Sequence, residues 1–450
     1  MMRTVNIEMY LNGTWQVICQ VEFTGNQKIL NSTNKFSYSP QHQVNCYGDV
    51  SSKACGVNYP VTFDIYSEDK IFGFIDDIIP AGAARRKWLE QDEIKQAEDI
   101  EFALLTHGAI SPVGNLRVKS AVEKLDSNVA IQYFPVEDII NRDSDFLSYA
   151  HERGALTGGA TGAGGEAPKL LLRQNESNQV WIDCFQNTQS ADQAYLVKFP
   201  SGQRTDIDKD ILRAEYSYYQ VLTQAGYNTI DTKQMKLEEG VNTPSLWLPR
   251  FDFIYAHNQE VRYGLESILS VIKGSSGVPL NHFDVIKQTI SNIQQAIEDT
   301  DTQFDPALFV CHWFERDLLN VIFGNADNHA RNSSLLKIKN KIELSPIYDF
   351  APMRVDPEDI RRTITWGNPF ELGGEYQWQA IIENLAEYCA QQQIECDKTQ
   401  LTYIFKNAME KFENLPEILV QAGCPESIIK HPKNHFKHWQ LKHEKWSASV

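Results

Sequence analysis

Apolar and polar positions alternate along residues 2–40, as in VNIEMYLNG and WQVICQVEF. That period of two predicts strands with one buried face, and Asn12-Gly13 between the runs predicts a tight hairpin turn. Residues 40–60 are turn-rich and are expected to be irregular. From Phe72 to Lys124 the spacing becomes helical, in FGFIDDIIPAGAARRKWLEQ and DEIKQAEDIEFALL. The stretch 151–169, HERGALTGGATGAGGEAPK, breaks all periodicity with glycine and alanine. Strand-like runs follow in KLLLR (169–173), QVWIDCF (179–185) and AYLVKFP (194–200). An amphipathic helix is predicted over 211–226, ended by Gly226. A further strand pair is expected in TKQMKLEE and SLWLPRFDFI, and helical periodicity dominates from about residue 280. The economical architecture is a bilobal α+β protein with a strand-rich N-terminal part and an α-helical C-terminal lobe. Its expected divisions are residues 1–149, 150–275 and 276–450.

A chain of 450 residues is long enough for two or three cores. The formal net charge of −17 argues against non-specific contact with a nucleic-acid backbone, which would repel the chain at long range. Eight cysteines without a CxxC pair suit a reducing compartment, not a disulfide framework or a zinc site. The start, MMRTVNIEMYLNG, has no apolar core of a leader, and no run approaches the roughly 18 apolar residues of a membrane span. A soluble, cytoplasmic protein is the expectation, with no membrane partner.

The most informative segment is Asp327-Asn328-His329-Ala330-Arg331-Asn332, directly after an apolar helix that ends near Phe323. An Asp with an Asn five positions on is what a kinase catalytic loop supplies. The Asp orients or accepts the attacking hydroxyl, and the Asn amide oxygen helps to hold a magnesium ion. A hairpin after this loop would carry Asp349, in SPIYDF, back to complete the metal site. Oxygen ligands of this kind suit Mg²⁺, which keeps water and phosphate oxygens in its other positions. Each part alone reads more readily as a plain Asn/Asp-rich loop; only their order and spacing together favour metal and nucleotide.

The glycine-rich run 158–165 would let backbone N–H groups approach phosphates closely, although the GK[ST] ending of a Walker A loop is missing. By itself such a run is more often a flexible linker; its position before the strand KLLLR favours the phosphate-binding reading. Lys198 sits inside the apolar strand AYLVKFP, where an ammonium group needs an anion. The kinase solution is a strand lysine that meets the nucleotide phosphates and is held by a helical glutamate, here Glu215. The bland alternative is an edge-strand lysine snorkelling to water.

In this order the parts resemble the HipA family of bacterial serine/threonine kinases, the toxin halves of toxin–antitoxin pairs. FGFIDDIIP, AGGEAPKLLL, AYLVKFP, AEYSYYQVLTQAG, PRFDF, GNADNHARN and LSPIYDF are each similar to a family segment. The resemblance implies that ATP and Mg²⁺ are bound, with Asp327 the catalytic carboxylate and Asn332 and Asp349 the metal ligands. Ala163, Gly164, Gly165, Lys169 and Lys198 would meet the phosphates, with Glu215 behind. Pro249, Arg250 and Phe251 would meet the adenine, with His329 and Tyr348 beside the nucleotide. It further implies a protein substrate, an antitoxin of HipB type with a helix-turn-helix, and contact with DNA only through that complex.

Two departures stand out. The family's autophosphorylated loop serine is missing between His151 and Lys169, which leaves Thr161, and then Thr157, as hydroxyls for that step. The hinge glutamate is replaced by Pro249, which offers a carbonyl but no N–H. Near the C-terminus, His431, His435, His438 and His443 are interleaved with lysines and read as a solvated or partner-facing helix in preference to a metal site. A small-molecule phosphotransferase and an inactive kinase-like binding module are the competing readings; the presence of Asp327, Asn332, Asp349 and Lys198 together speaks against the latter.

Overall fold

The computed structural model describes residues 3–24, 28–125, 131–152, 156–157, 169–185, 189–201 and 204–450. The chain opens with the hairpin Arg3–Leu11 and Thr14–Phe23, turned by Asn12 and Gly13, both at positive φ. Alternation along the first strand buries Val5, Ile7 and Met9. The resulting antiparallel sheet runs in the order Tyr66–Glu68, Asn34–Tyr38, Thr14–Phe23, Arg3–Leu11, Leu116–Val118. Its last member interrupts the mainly helical stretch from Phe72 to Lys124, where three residues pair with Ile7, Glu8 and Met9. Residues 40–60 are likewise not wholly irregular. Pro40 at the first turn and the Ser39 side chain, which accepts from His42 N, start a short helix, Pro40–Cys46.

A second antiparallel sheet has the order Lys236–Glu239, Pro244–Pro249, Gln193–Lys198, Lys169–Gln174, Gln179–Trp181, Phe134–Pro135. The strand expected over 179–185 is regular only to Trp181. Both faces of this sheet are covered. Leu170, Leu172, Tyr195 and Val197 belong to the same core as the N-terminal sheet. Leu171 and Leu196 pack on the other side with Val113 and Leu265. The N-terminal sheet and the central sheet are thus joined by a continuous apolar layer.

The helix after this sheet spans Asp206–Gln224 and begins earlier than its apolar periodicity suggests. Thr205 and Asp208 form a reciprocal capping box that starts it at a polar turn. Its inward stripe includes Ile211, Leu212, Glu215, Tyr218, Tyr219 and Leu222, and Gly226 follows at positive φ. The C-terminal lobe is built from the helices His282–Ile297, Pro306–Phe323, Trp378–Gln391 and Lys398–Lys411. Asp305 caps Pro306–Phe323 at its start, and Gly324 stops it in the left-handed region at φ 71°. The loop 325–333 follows, and then the hairpin Ser334–Ile338 and Lys341–Leu344, to which Gly264–Ser267 adds a third strand.

Two of the four C-terminal histidines differ from the expected solvated helix, whereas His438 is exposed as expected and His431 is half-buried. His435 and His443 are buried, and their Nε2 atoms bond the carbonyls of Ile322 and Met409 at 2.9 and 2.8 Å. Trp439 and Trp446, on the same face, enter the core, so this face is packing and not a docking helix.

Candidate active site

Two lysines meet one carboxylate where the lobes face each other. Lys169 and Lys198 are cross-strand partners, which places two ammonium groups side by side on one face. Both are almost fully buried. The arrangement is tolerable because Asp349 lies between them: Lys169 Nζ is 3.1 Å from Oδ2, and Lys198 Nζ donates to Oδ1. Lys198 also donates to Glu215 Oε1 at 2.6 Å. Burial alone would raise the Asp349 carboxyl, but the two lysines overturn this and hold it well below the usual carboxylate range. Burial likewise works against the charge on Lys198, and Asp349 with Glu215 more than reverses it.

Glu215 is fixed in turn by Tyr219, one helical turn on, whose hydroxyl donates to Oε1 at 3.1 Å and accepts from Phe350 N at 3.2 Å. Asp349 itself has φ 53°, a left-handed conformation that aspartate tolerates better than most residues.

The loop after Gly324 presents the other half of the site. Asp327 N is held by Asn325 Oδ1 at 3.1 Å, and Asn332 Nδ2 donates to Asp327 O at 2.8 Å. That bond orients the Asn332 amide, whose buried Oδ1 has no partner among the described residues. Asp327, Asn332 and Asp349 line one recess of about 400 Å³. An orphaned amide oxygen beside two carboxylates is a donor set that fits a hard divalent cation such as Mg²⁺. Burial pushes the Asp327 carboxyl up and the charge on Asp349 adds to this, while His329 and Lys169 oppose it in part. Nε2 of His329 is 3.3 Å from Asp327 Oδ1, so His329 attends the carboxylate and lies outside the apolar cavity described next.

Asp327, Asp349, Lys169 and Lys198 also border a cavity of about 770 Å³. A second, apolar cavity of about 480 Å³ shares the lysines and Asp349 and runs under Pro249, Arg250 and Phe251. Its apolar walls are Val113, Leu196, Ile230, Leu248 and Leu265, with Tyr348. Arg250 N is already bonded to Ala194 O at 3.1 Å, and the Arg250 side chain pairs with Asp252. The Arg250 N–H is therefore already used within the sheet. Tyr348 packs against Phe251 at 5.7 Å, and its hydroxyl donates to Arg331 O at 2.9 Å.

Of the residues named from sequence, Lys169, Lys198, Glu215, Asp327, Asn332 and Asp349 converge, with Pro249, Arg250, Phe251 and Tyr348 on the adjoining cavity. Thr161, Ala163, Gly164 and Gly165 lie outside the described residues, and Thr157 is described only as backbone paired with Lys169. Sequence reasoning missed the apolar walls. Leu196 was within reach, since it shares a strand face with Lys198; Val113, far away in the chain, carried no signal.

A strand-rich lobe bearing a lysine–glutamate pair, a helical lobe bearing Asp327 and Asn332, and a cleft between them define a kinase-like protein. The chain belongs to the HipA family: the HipA-like C-terminal domain matches residues 161–415. HipA of Shewanella oneidensis MR-1, solved with HipB and operator DNA, is similar at 13% identity and a TM-score of 0.60, over 98% of this chain and 95% of that one. CtkA, a proinflammatory kinase of Helicobacter pylori, is similar at 15% identity and a TM-score of 0.35, over 64% of this chain and 90% of that one, and adds nothing to the fold assignment. Comparison with curated proteins returned no match.

Proposed function

We propose that this chain is an ATP- and Mg²⁺-dependent serine/threonine protein kinase, the toxin of a toxin–antitoxin pair. The observation that carries the reading is the Asp349 carboxylate held by Lys169 and Lys198 at the edge of open space, facing Asp327 and the unpartnered Asn332 Oδ1. Adenine enters the apolar cavity beneath the 249–251 hinge, and the phosphates take the place of Asp349 on the two ammonium groups. Asp349, once released from the lysines, and Asn332 are the residues that would hold Mg²⁺, which would supply neutralising charge to the phosphate oxygens. Asp327 orients the substrate hydroxyl and accepts its proton as the oxygen bonds to the γ-phosphorus and the bond to the β-phosphate oxygen breaks, releasing ADP. Its upward-shifted carboxyl suits a group that takes a proton and gives it back.

The partner in this reading is an antitoxin of HipB type, through which alone the acidic chain is brought to DNA; the Shewanella protein's complex supports this. Autophosphorylation falls on Thr161, or on Thr157, where added negative charge would compete with ATP. The cytoplasm is the proposed compartment, and among the described residues no helix is long and apolar enough to cross a membrane.

Mass spectrometry after incubation with Mg-ATP, beside an Asp327→Asn control, tests the reading. A gain of about 80 Da on a threonine or on an added protein substrate, absent in the control, is expected. Absence of nucleotide binding overturns it.

A further inference from the structure

We propose that Asp76 and Asp77, far upstream in the N-terminal part, are positioning residues for the catalytic loop and act through Arg331. The consequence for turnover rests on the kinase reading above; the mechanical claim does not.

Arg331 sits between Asp327 and Asn332 in the chain, and its side chain is buried. Nη2 pairs with the Asp76 carboxylate, and Nη1 lies 3.2 Å from Asp77 Oδ1 and 3.4 Å from Asp76 O. Ser276 Oγ takes further bonds from Nε and Nη2, at 3.3 and 3.2 Å. Asp77 grips more than the guanidinium. Its carboxylate accepts from Ser267 N at 2.9 Å and Ser267 Oγ at 2.7 Å. Ser267 in turn caps the short helical turn Ile268–Val271 by accepting from Ser270 N. The first amides of that turn, Ile268 N and Leu269 N, donate to the catalytic-loop carbonyls of Ser333 and Ala330 at 2.9 and 3.2 Å. One carboxylate thus reaches the loop by two routes, through the Arg331 side chain and through the backbone on either side of it.

The approach is specific. Gly73 starts the turn that carries Asp76, and a Cβ there would lie 2.8 Å from Ser270 Cα, so only glycine lets the segment sit this close. The two arms are unequal. Asp77 is sealed, whereas the Asp76 side chain is 35% exposed beside a cavity of about 910 Å³. An ion pair placed elsewhere between these segments would fasten them equally well. This one fastens the residue between a proposed base and a proposed metal ligand, where a displacement of about 1 Å costs on the order of 10²-fold in rate.

The test uses full-length Asp77→Asn, Asp76→Asn and Arg331→Lys, each checked for cooperative melting. Two readouts are taken: kcat and KM for ATP, and amide hydrogen exchange over residues 325–333 without nucleotide. For Asp77→Asn, kcat is expected to fall about 10–100-fold with KM for ATP within about three-fold. Exchange over 325–333 should quicken while the helix Pro306–Phe323 keeps its protection. Asp76→Asn and Arg331→Lys, which keep one arm, should fall between it and wild type, and they carry the test if Asp77→Asn does not fold. Folded variants with wild-type kcat and wild-type loop exchange overturn the proposal. If the wild-type protein transfers no phosphate, the kinase reading falls and loop exchange alone decides the clamp.

Discussion

The strand Lys169–Gln174 carries a buried cation at each end, and the two ends behave differently. At one end Lys169 and its neighbour Lys198 share Asp349 beside a cavity, with 17% of the Asp349 side chain exposed. At the other end Arg173 and Arg262 share Glu260, whose side chain is fully buried, with Asp183 close by and Phe253 under the guanidinium at 4.6 Å. Lys169 and Arg173 lie on the same face of the strand, so neither sequence nor burial separates them. Adjacent empty space does. On the proposed function, a carboxylate at the edge of open space, exchangeable for phosphate, marks a binding site; one sealed on all sides marks a joint between the N-terminal hairpin region and the sheet.

That contrast can be broken or sharpened by substitution. Glu260→Gln leaves two guanidinium groups short of charge in a dry place and is expected to cost about 3–5 kcal/mol of stability, read by denaturant unfolding, with no recovery on adding ATP. Asp349→Asn should lower phosphoryl transfer about 10²–10³-fold in a radiolabel assay. Its two lysines remain open to the cavity, so ATP should raise its melting temperature more than it raises that of wild type.

A third charge cluster supplies the pH arm. Burial would raise the Asp317 carboxyl, but Arg362 and His282 hold it well below the usual range. A depressed carboxylate contributes stability that is present above its unfolded pKa of about 3.9 and lost as pH falls through the folded value. Asp317→Asn should therefore cost about 2–3 kcal/mol at pH 7, with the gap from wild type narrowing in acid unfolding below about pH 4. The smallest effect is expected from Leu196→Trp, which narrows the apolar cavity and should raise KM for ATP about ten-fold with less change in kcat.

The ordered motifs were legible because local chemistry fixes them. Gly324 ends a helix and commits the next residues to a loop, and a lysine in an apolar strand demands an anion. Less legible was whatever depends on distant chain. Asp76 and Asp77 look like surface carboxylates until Arg331 is seen against them, and Val113 reaches the proposed adenine pocket only through tertiary packing. His435 and His443 misled because a polar sequence conceals a buried face bonded to main-chain carbonyls. The helix at Asp206 began early because capping, not periodicity, sets its start.

The Tyr219 hydroxyl accepts from Phe350 N and donates to Glu215, and so spans the helix and the segment that carries Asp349. Swinging the helix outward would strip Lys198 of Glu215 and unpin Phe350 in the same movement. The lysine anchor and the proposed metal-binding segment therefore share a single conformational equilibrium, and Tyr219→Phe is the substitution that would uncouple it into two.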